Sequence, residues 1–216
     1  MTYALSQSLF NAESAVLRAP ADEARFIQAA RSGDLDAFNS LVLMHQDRVY
    51  SLAYRIMGDE AAAADATQDA FILAYRHIRN FHAGFFYAWL YRIVTNVCYD
   101  ALRYQKRRPA MSFTQLTQAD GEREFDLPAT DDSPETVAQR HELAELLQQH
   151  IAALPADQRI VLVLSDVQGM SYKEIADVTR SNLGTVKSRL NRARSRMRQS
   201  LSSDDYWLKS EMYGRV

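Results

Sequence analysis

The chain has 216 residues, of which 47% are hydrophobic and 24% charged, with 25 Lys and Arg against 27 Asp and Glu. This is the usage of an ordinary soluble globular protein, and a single cysteine excludes an internal disulfide framework. No apolar run approaches the ~20 residues that cross a bilayer, and the first twenty residues lack the pattern of a cleaved signal, so we expect a cytoplasmic protein.

The first half of the chain is predicted to form a small helical domain over residues 21–108. Apolar residues recur there at spacings of three, four and seven in three stretches, each of which is one face of an amphipathic helix. The stretches cover residues 38–56, 71–81 and 86–97, and turn-forming glycines lie between them. Residues 1–20 form an extension outside this pattern, for which we expect partial disorder.

A change in composition marks residues 109–138. This segment holds three of the five prolines and seven acidic residues against the single basic Arg123, and it shows neither helical nor strand periodicity. A structureless segment of this length is unusual inside one compact domain. The sequence therefore predicts an all-α protein in which a flexible acidic linker joins two small helical domains.

The second domain is predicted over residues 139–200, followed by a tail at 201–216. Two helical stripes occupy residues 143–151 and 161–164. Ser171 and Glu174 then have the spacing of a capping box, and a short polar turn at 180–182 leads into the last long helix. Two helices joined by such a turn are the helix-turn-helix pattern.

The last helix gathers positive charge in a protein that is nearly neutral overall. Between Gly184 and Ser200 there are six basic residues and no acidic one. The predicted buried stripe is Val186, Leu190, Ala193 and Met197. The opposite face is short and polar (Thr185, Ser188, Asn191, Arg192, Ser195), with cations on both sides (Lys187, Arg194 and Arg198; Arg189 and Arg196). Such a face suits base edges in a major groove with phosphates on either side, whereas a solvated face would mix charge signs.

Aromatic and basic residues alternate between residues 85 and 108. Rings beside cations are what single-stranded DNA binding requires, because rings stack on bases and cations follow the phosphates. Rings at stripe positions, such as Phe86 and Trp89, are expected in the core. Tyr87 and Tyr91 lie off the stripe and are predicted to be exposed.

Three segments resemble the extracytoplasmic-function sigma factors, the short promoter-recognition subunits of bacterial RNA polymerase. DATQDAFILAYRHIRNF is similar to the polymerase-clamp helix of this family, and WLYRIVTNVCYDALR is similar to its minus-ten reading helix. LPADQRIVLVLSDVQGMSYKEIADVTRSNLGTVKSRLNRARSRMR is similar to its minus-thirty-five domain. The resemblance implies a protein that binds core RNA polymerase, directs it to promoters and helps to open the duplex. It also implies an anti-sigma factor as an inhibitory partner.

The resemblance implies site residues in each segment. Polymerase-binding residues would be Asp65, Gln68, Asp69, Phe71, Tyr75 and Arg76. Residues that bind single-stranded minus-ten DNA would be Phe81, Tyr87, Tyr91, Arg92, Asn96, Arg103, Lys106, Arg107 and Arg108. Residues that bind duplex minus-thirty-five DNA would be Thr185, Lys187, Ser188, Arg189, Asn191, Arg192 and Arg196.

Two positions depart from the family pattern. The loop His82-Ala83-Gly84-Phe85 is one residue shorter and more apolar than usual, in a place where the family holds a flipped promoter base. Ser165 stands before Asp166, where the family often has a basic residue, which implies one phosphate contact fewer.

Other classes of protein have weaker support. HELAE at residues 141–145 lacks the second histidine of a zinc protease, and no glycine loop cradles a phosphate, so we expect no enzyme, cofactor, metal or small-molecule substrate. An ordinary helix-turn-helix regulator with a dimerising or sensing N-terminal domain is the main alternative. A module that binds an acidic protein surface is another.

Overall fold

A computed structural model describes residues 20–82, 84–107 and 134–202. Those residues form eight α-helices and no strand, which confirms the all-α prediction. The helices are Pro20–Arg31 (α1), Leu35–Met57 (α2), Glu60–His77 (α3), Phe86–Arg107 (α4), Pro134–Ala152 (α5), Ala156–Leu162 (α6), Tyr172–Thr179 (α7) and Leu183–Ser202 (α8). None of the described helices is long and apolar enough to cross a membrane.

The N-terminal domain is a bundle of α1 to α4 around an apolar core. The Asp34 carboxylate accepts hydrogen bonds from two backbone N–H groups at the start of α2, and the Asp59 carboxylate accepts one, from Ala62, at the start of α3. Gly58 ends α2 in the left-handed conformation, with φ 75°. Leu52 and Ile56 are fully buried, so the apolar stripe that predicted α2 does face the core.

The C-terminal domain consists of α5 to α8 and contains the predicted helix-turn-helix. The capping box is present: Glu174 N–H donates to the Ser171 hydroxyl at 3.3 Å, and Ser171 N–H donates to the Glu174 carboxylate at 2.8 Å. Arg180 then turns the chain with φ 49°, a left-handed conformation that ends α7 and sets the angle of α8. Helix α6 continues as a π-helical turn over Val163–Val167.

The linker prediction is wrong at its C-terminal end. Residues 134–138 were expected to be flexible, but they form the first turns of α5. Proline is tolerated in the first turn of a helix because the missing N–H has no intrahelical partner there. Residues 109–133, the extension at 1–19 and the tail beyond 202 lie outside the described residues.

The two domains pack directly on one another. Helix α4 of the N-terminal domain lies against α7 of the helix-turn-helix, and α2 lies against α5. The composition of the linker left this arrangement open. The structure places the DNA-reading helix predicted in one domain beside the helix-turn-helix of the other.

Candidate nucleic-acid interface

Helix α8 separates its apolar and polar residues onto opposite faces. Val186, Leu190 and Ala193 are buried, and Met197 is half-buried against the same core. Most of the predicted minus-thirty-five residues are exposed on the outer face, namely Lys187, Ser188, Asn191, Arg192 and Arg196, whereas Thr185 is half-buried. The outer face therefore presents short polar groups and cations without an acidic neighbour on the helix itself.

Arg189 lies apart from the other predicted minus-thirty-five residues. Its Nε lies 3.2 Å from Oδ2 of Asp157, and only 29% of its side chain is exposed. The pair lines a small gap between the domains rather than the outer face of α8. Arg189 is therefore not available to a DNA groove in this arrangement.

Asp166 fixes the position of a second α8 cation. Arg194 donates from Nε to Oδ2 of Asp166 at 3.0 Å and from Nη2 to Oδ1 at 2.6 Å, a bidentate pair. The hydrogen bond from Arg194 lowers the pKa of Asp166 and raises that of Arg194. Ser165 is the position at which the sequence departs from the family pattern, and Asp166 follows it directly. Through Arg194, Asp166 connects α8 to the end of the π-helical turn.

The predicted minus-ten residues on helix α4 differ in how far they are exposed to solvent. Arg92 and Arg103 are exposed, and Tyr87 and Asn96 are half-buried. The side chains of Lys106 and Arg107, together with Arg108, lie outside the described part of the chain. The exposed cations can follow a phosphate backbone along the helix.

The predicted exposure of Tyr91 is wrong, and the structure also buries the predicted minus-ten residue Phe81. Tyr91 was expected to be exposed, but only 6% of it is, and its hydroxyl donates to Gln168 Oε1 of the other domain at 2.9 Å. Burial raises the pKa of this tyrosine. Phe81 is also buried, packed edge-to-face on Phe86 at 5.5 Å and against Trp89 at 5.4 Å. Phe81 therefore supports the loop from below, and it offers little surface to a base.

One exposed ring near the shortened loop was missed. Phe85 is 69% exposed, and its ring centroid lies 5.5 Å from that of Tyr87. Gly84, with φ 104°, turns the chain immediately before it. The sequence signal was present, because an aromatic residue after a loop glycine stands outside the helical stripe.

The predicted polymerase-binding residues lie along one exposed side of α3. Asp65, Gln68, Asp69 and Arg76 are exposed, and Phe71 is half-buried against the core. Tyr75 is exposed, but its ring packs edge-to-face on that of Phe38, with 5.0 Å between the ring centroids. Ile72, 42% exposed in the middle of this side, was missed although it follows Asp65 and Gln68 at helical spacing.

The comparisons with known proteins identify the family of both domains. Residues 41–108 match sigma-70 region 2, and residues 144–197 match sigma-70 region 4. The chain is 38% identical over 180 residues to the RNA polymerase sigma-H factor of Pseudomonas aeruginosa, covering 82% of this chain and 92% of that protein. The chain belongs to the extracytoplasmic-function sigma factors.

Further relatives give the same result. The sigma factor SigE of Mycolicibacterium smegmatis is 37% identical over 184 residues, covering 85% of this chain and 68% of that protein. Among solved structures, CnrH in complex with the cytosolic domain of CnrY is 27% identical with a TM-score of 0.59, covering 85% of this chain and 99% of that one. This sigma factor is thus a transcription initiation factor that directs RNA polymerase to promoters, and core polymerase and promoter DNA are its partners.

Proposed function

We propose that the outer face of α8 reads the minus-thirty-five element of the promoters that this sigma factor selects. The observation that carries the proposal is the clean separation of α8 into a buried stripe and an exposed polar and basic face. Asn191 and Arg192 lie at its centre, where side chains of these types pair with adenine and guanine edges. Lys187 and Arg196 lie at its margins and suit phosphates.

The minus-ten element is assigned to α4 and the loop before it. Arg92 and Arg103 supply exposed cations, and Phe85 and Tyr87 supply neighbouring rings on which unstacked bases can stack. Asn96 and Tyr91 belong to the same helix and are assigned to the same strand, although the second domain now covers them in part.

The exposed side of α3 is assigned to core polymerase. Asp65 and Asp69 place two carboxylates beside the exposed Ile72, a mixture of charge and apolar surface that is typical of protein interfaces. An anti-sigma factor that covers these surfaces fits the solved CnrH–CnrY complex, in which the related chain is bound by the cytosolic domain of its partner. Because promoters and polymerase are cytoplasmic, we assign the protein to the cytoplasm, with no catalytic chemistry of its own.

Transcription with purified core polymerase tests the proposal. We expect new start sites on a pool of host promoter fragments only when the protein is added, at fragments that share two spaced elements. Reversing the charge of Asp65 and Asp69 to lysine should abolish polymerase binding and leave the circular dichroism unchanged. Asp100→Lys, an exposed charge reversal on α4, is the control and should leave polymerase binding intact. Tight duplex binding without any polymerase-dependent start site would favour the ordinary helix-turn-helix regulator.

A further inference from the structure

Two arginines and a histidine gather where the end of α1 packs on the 3-10 helical turn Ile78–Asn80. Arg31 Nη2 lies 3.2 Å from Nδ1 of His82, the first residue of the shortened loop. A Cβ built on Gly33 would lie 3.7 Å from Nη2 of Arg79, so this second guanidinium reaches the turn that follows Arg31. We call Arg31, Arg79 and His82 the α1 basic cluster.

The positive charge of the α1 basic cluster is not neutralised within the described part of the chain. Neither arginine forms an ion pair with a described residue, and the Nε of Arg31 is buried without a partner there. Asp34, the nearest acidic residue in the sequence, uses its carboxylate to cap α2. Because arginine has no acceptor, Nδ1 of His82 accepts the hydrogen bond from Arg31, and its Nε2 carries the proton. The cluster therefore offers several N–H donors to an anion.

The α1 basic cluster lies beside the rings that we assign to minus-ten DNA. Phe81, directly before His82, is buried against Phe86 and Trp89, so the start of the loop is fixed on the core. The exposed Phe85 follows His82 by three residues, which places their Cα atoms at most about 11 Å apart. That distance is spanned by about three nucleotides at the roughly 3.4 Å spacing of a stacked strand. A strand with one base on Phe85 thus has a phosphate within reach of the cluster.

We propose that Arg31, Arg79 and His82 bind a phosphate of the single-stranded minus-ten element while neighbouring bases stack on Phe85 and Tyr87. The planar guanidinium matches phosphate oxygens in pairs, and Nε2 of His82 adds one more donor. Phosphate contacts of this kind fix the position of a strand and leave the reading of bases to other residues. The proposal rests on the assignment of minus-ten DNA to α4 and its preceding loop. It adds α1 to that interface, and the family resemblance assigned no residue of α1 to DNA.

Binding of the holoenzyme to single-stranded oligonucleotides tests the proposal. The holoenzyme is this protein with core polymerase, and the fluorescent oligonucleotide carries the minus-ten strand of a promoter mapped by transcription with this protein. In a series of oligonucleotides, each phosphate in turn is replaced with an uncharged methylphosphonate. Loss of one phosphate contact should weaken binding about fourfold at roughly 0.15 M salt. We expect such a loss with the wild-type protein at the phosphate that the cluster contacts.

Variants of the two arginines identify that phosphate. Arg31→Met and Arg79→Met together remove both guanidinium groups and keep most of the stem volume. The double variant should bind the unmodified oligonucleotide about fourfold more weakly, with the slope of log affinity against log salt smaller by about 0.7. At the contacted phosphate, methylphosphonate should cause it no further loss, because the contact is already absent. Arg25→Met is the matched control on α1, with 82% of the arginine side chain exposed, and should behave as wild type with every oligonucleotide.

Folding and polymerase binding are measured for each variant. Circular dichroism and the affinity for core polymerase should both stay at the wild-type values. Arg79 is exposed, so Arg79→Met alone provides the same comparison, with a smaller effect, if the double variant loses helix content. Arg79→Lys retains the charge and should keep part of the sensitivity to the contacted phosphate.

Three results would overturn the proposal. In the first, the arginine variants bind the unmodified oligonucleotide with wild-type affinity and salt slope. In the second, they lose affinity but remain as sensitive as wild type to methylphosphonate at every phosphate. In the third, they lose affinity for core polymerase, which would make an acidic surface of the polymerase the partner of the cluster. Each of these results leaves transcription from the mapped promoters with the wild-type protein in place, whereas the absence of any polymerase-dependent start site would refute the proposed function itself.

Discussion

Replacing the buried Arg159 with methionine is expected to lower the free energy of unfolding by about 2–4 kcal/mol. The guanidinium donates three hydrogen bonds, to the carbonyls of Ile56, Ala152 and Leu154, and bonds to a charged group contribute roughly 1.5–3 kcal/mol each. Two terms offset part of that sum. Methionine fills much of the volume of the arginine stem, and the substitution removes the cost of keeping a cation out of water. The Nε of Arg159 has no partner among the described residues, which adds to that cost.

Thermal and urea unfolding followed by circular dichroism measure the effect. For a chain of this length, the expected loss corresponds to a melting temperature lower by about 5–15 °C. Arg192→Met is the matched control, because it makes the same chemical change at an exposed position on α8. It should leave the stability within about 0.5 kcal/mol of wild type. An Arg159→Met protein as stable as wild type would show that desolvation of the cation cancels its three hydrogen bonds.

Three further predictions concern the helix-turn-helix. Arg192→Ala should weaken promoter recognition by roughly 1–3 kcal/mol and change base preference at one position, measured by competition binding of the polymerase complex to promoter variants; an equal loss on every sequence would mean contact with phosphate alone. Ser171→Ala should cost about 1 kcal/mol of stability in urea unfolding, because it removes the acceptor for the Glu174 N–H, and an unchanged midpoint would contradict this. Asp166→Asn should cost roughly 0.5–1 kcal/mol at pH 7. Because Arg194 lowers the pKa of Asp166, that difference should persist above about pH 4 and disappear as the pH falls through the lower folded-state pKa. A difference that is constant from pH 7 to pH 2 would refute the assigned ion pair.

The local elements were predictable because their signals are local. The apolar stripe through Val186, Leu190 and Ala193 follows from the helical repeat, and the structure buries all three. The capping box at Ser171 and Glu174 depends on residues three apart, and it is present as predicted. For the same reason most of the exposed polar face of α8 was predictable, with the exception of Arg189, which pairs with Asp157.

The errors occur where a second element decides the environment. A helical wheel gives the direction of a side chain from its own helix, and it placed Tyr91 on the solvent side of α4. The C-terminal domain covers that side, and Gln168 accepts a hydrogen bond from the tyrosine hydroxyl. Phe81, by contrast, stands at the end of the predicted apolar stripe of residues 71–81, and the structure buries it against Phe86 and Trp89 as that stripe predicts.

The sequence by itself determined most of the helices, the capping box at Ser171, the two-domain all-α architecture and the family. It did so because hydrophobic period, capping spacing and charge are properties of neighbouring residues. Only the tertiary structure decided how the domains meet. The carbonyls of residues 54–56 find their donors in Gln148 and Arg159, which lie more than ninety positions further along the chain. No local pattern specifies such a pair, because the requirement for a donor is common to every helix end and its satisfaction depends on which surfaces come together.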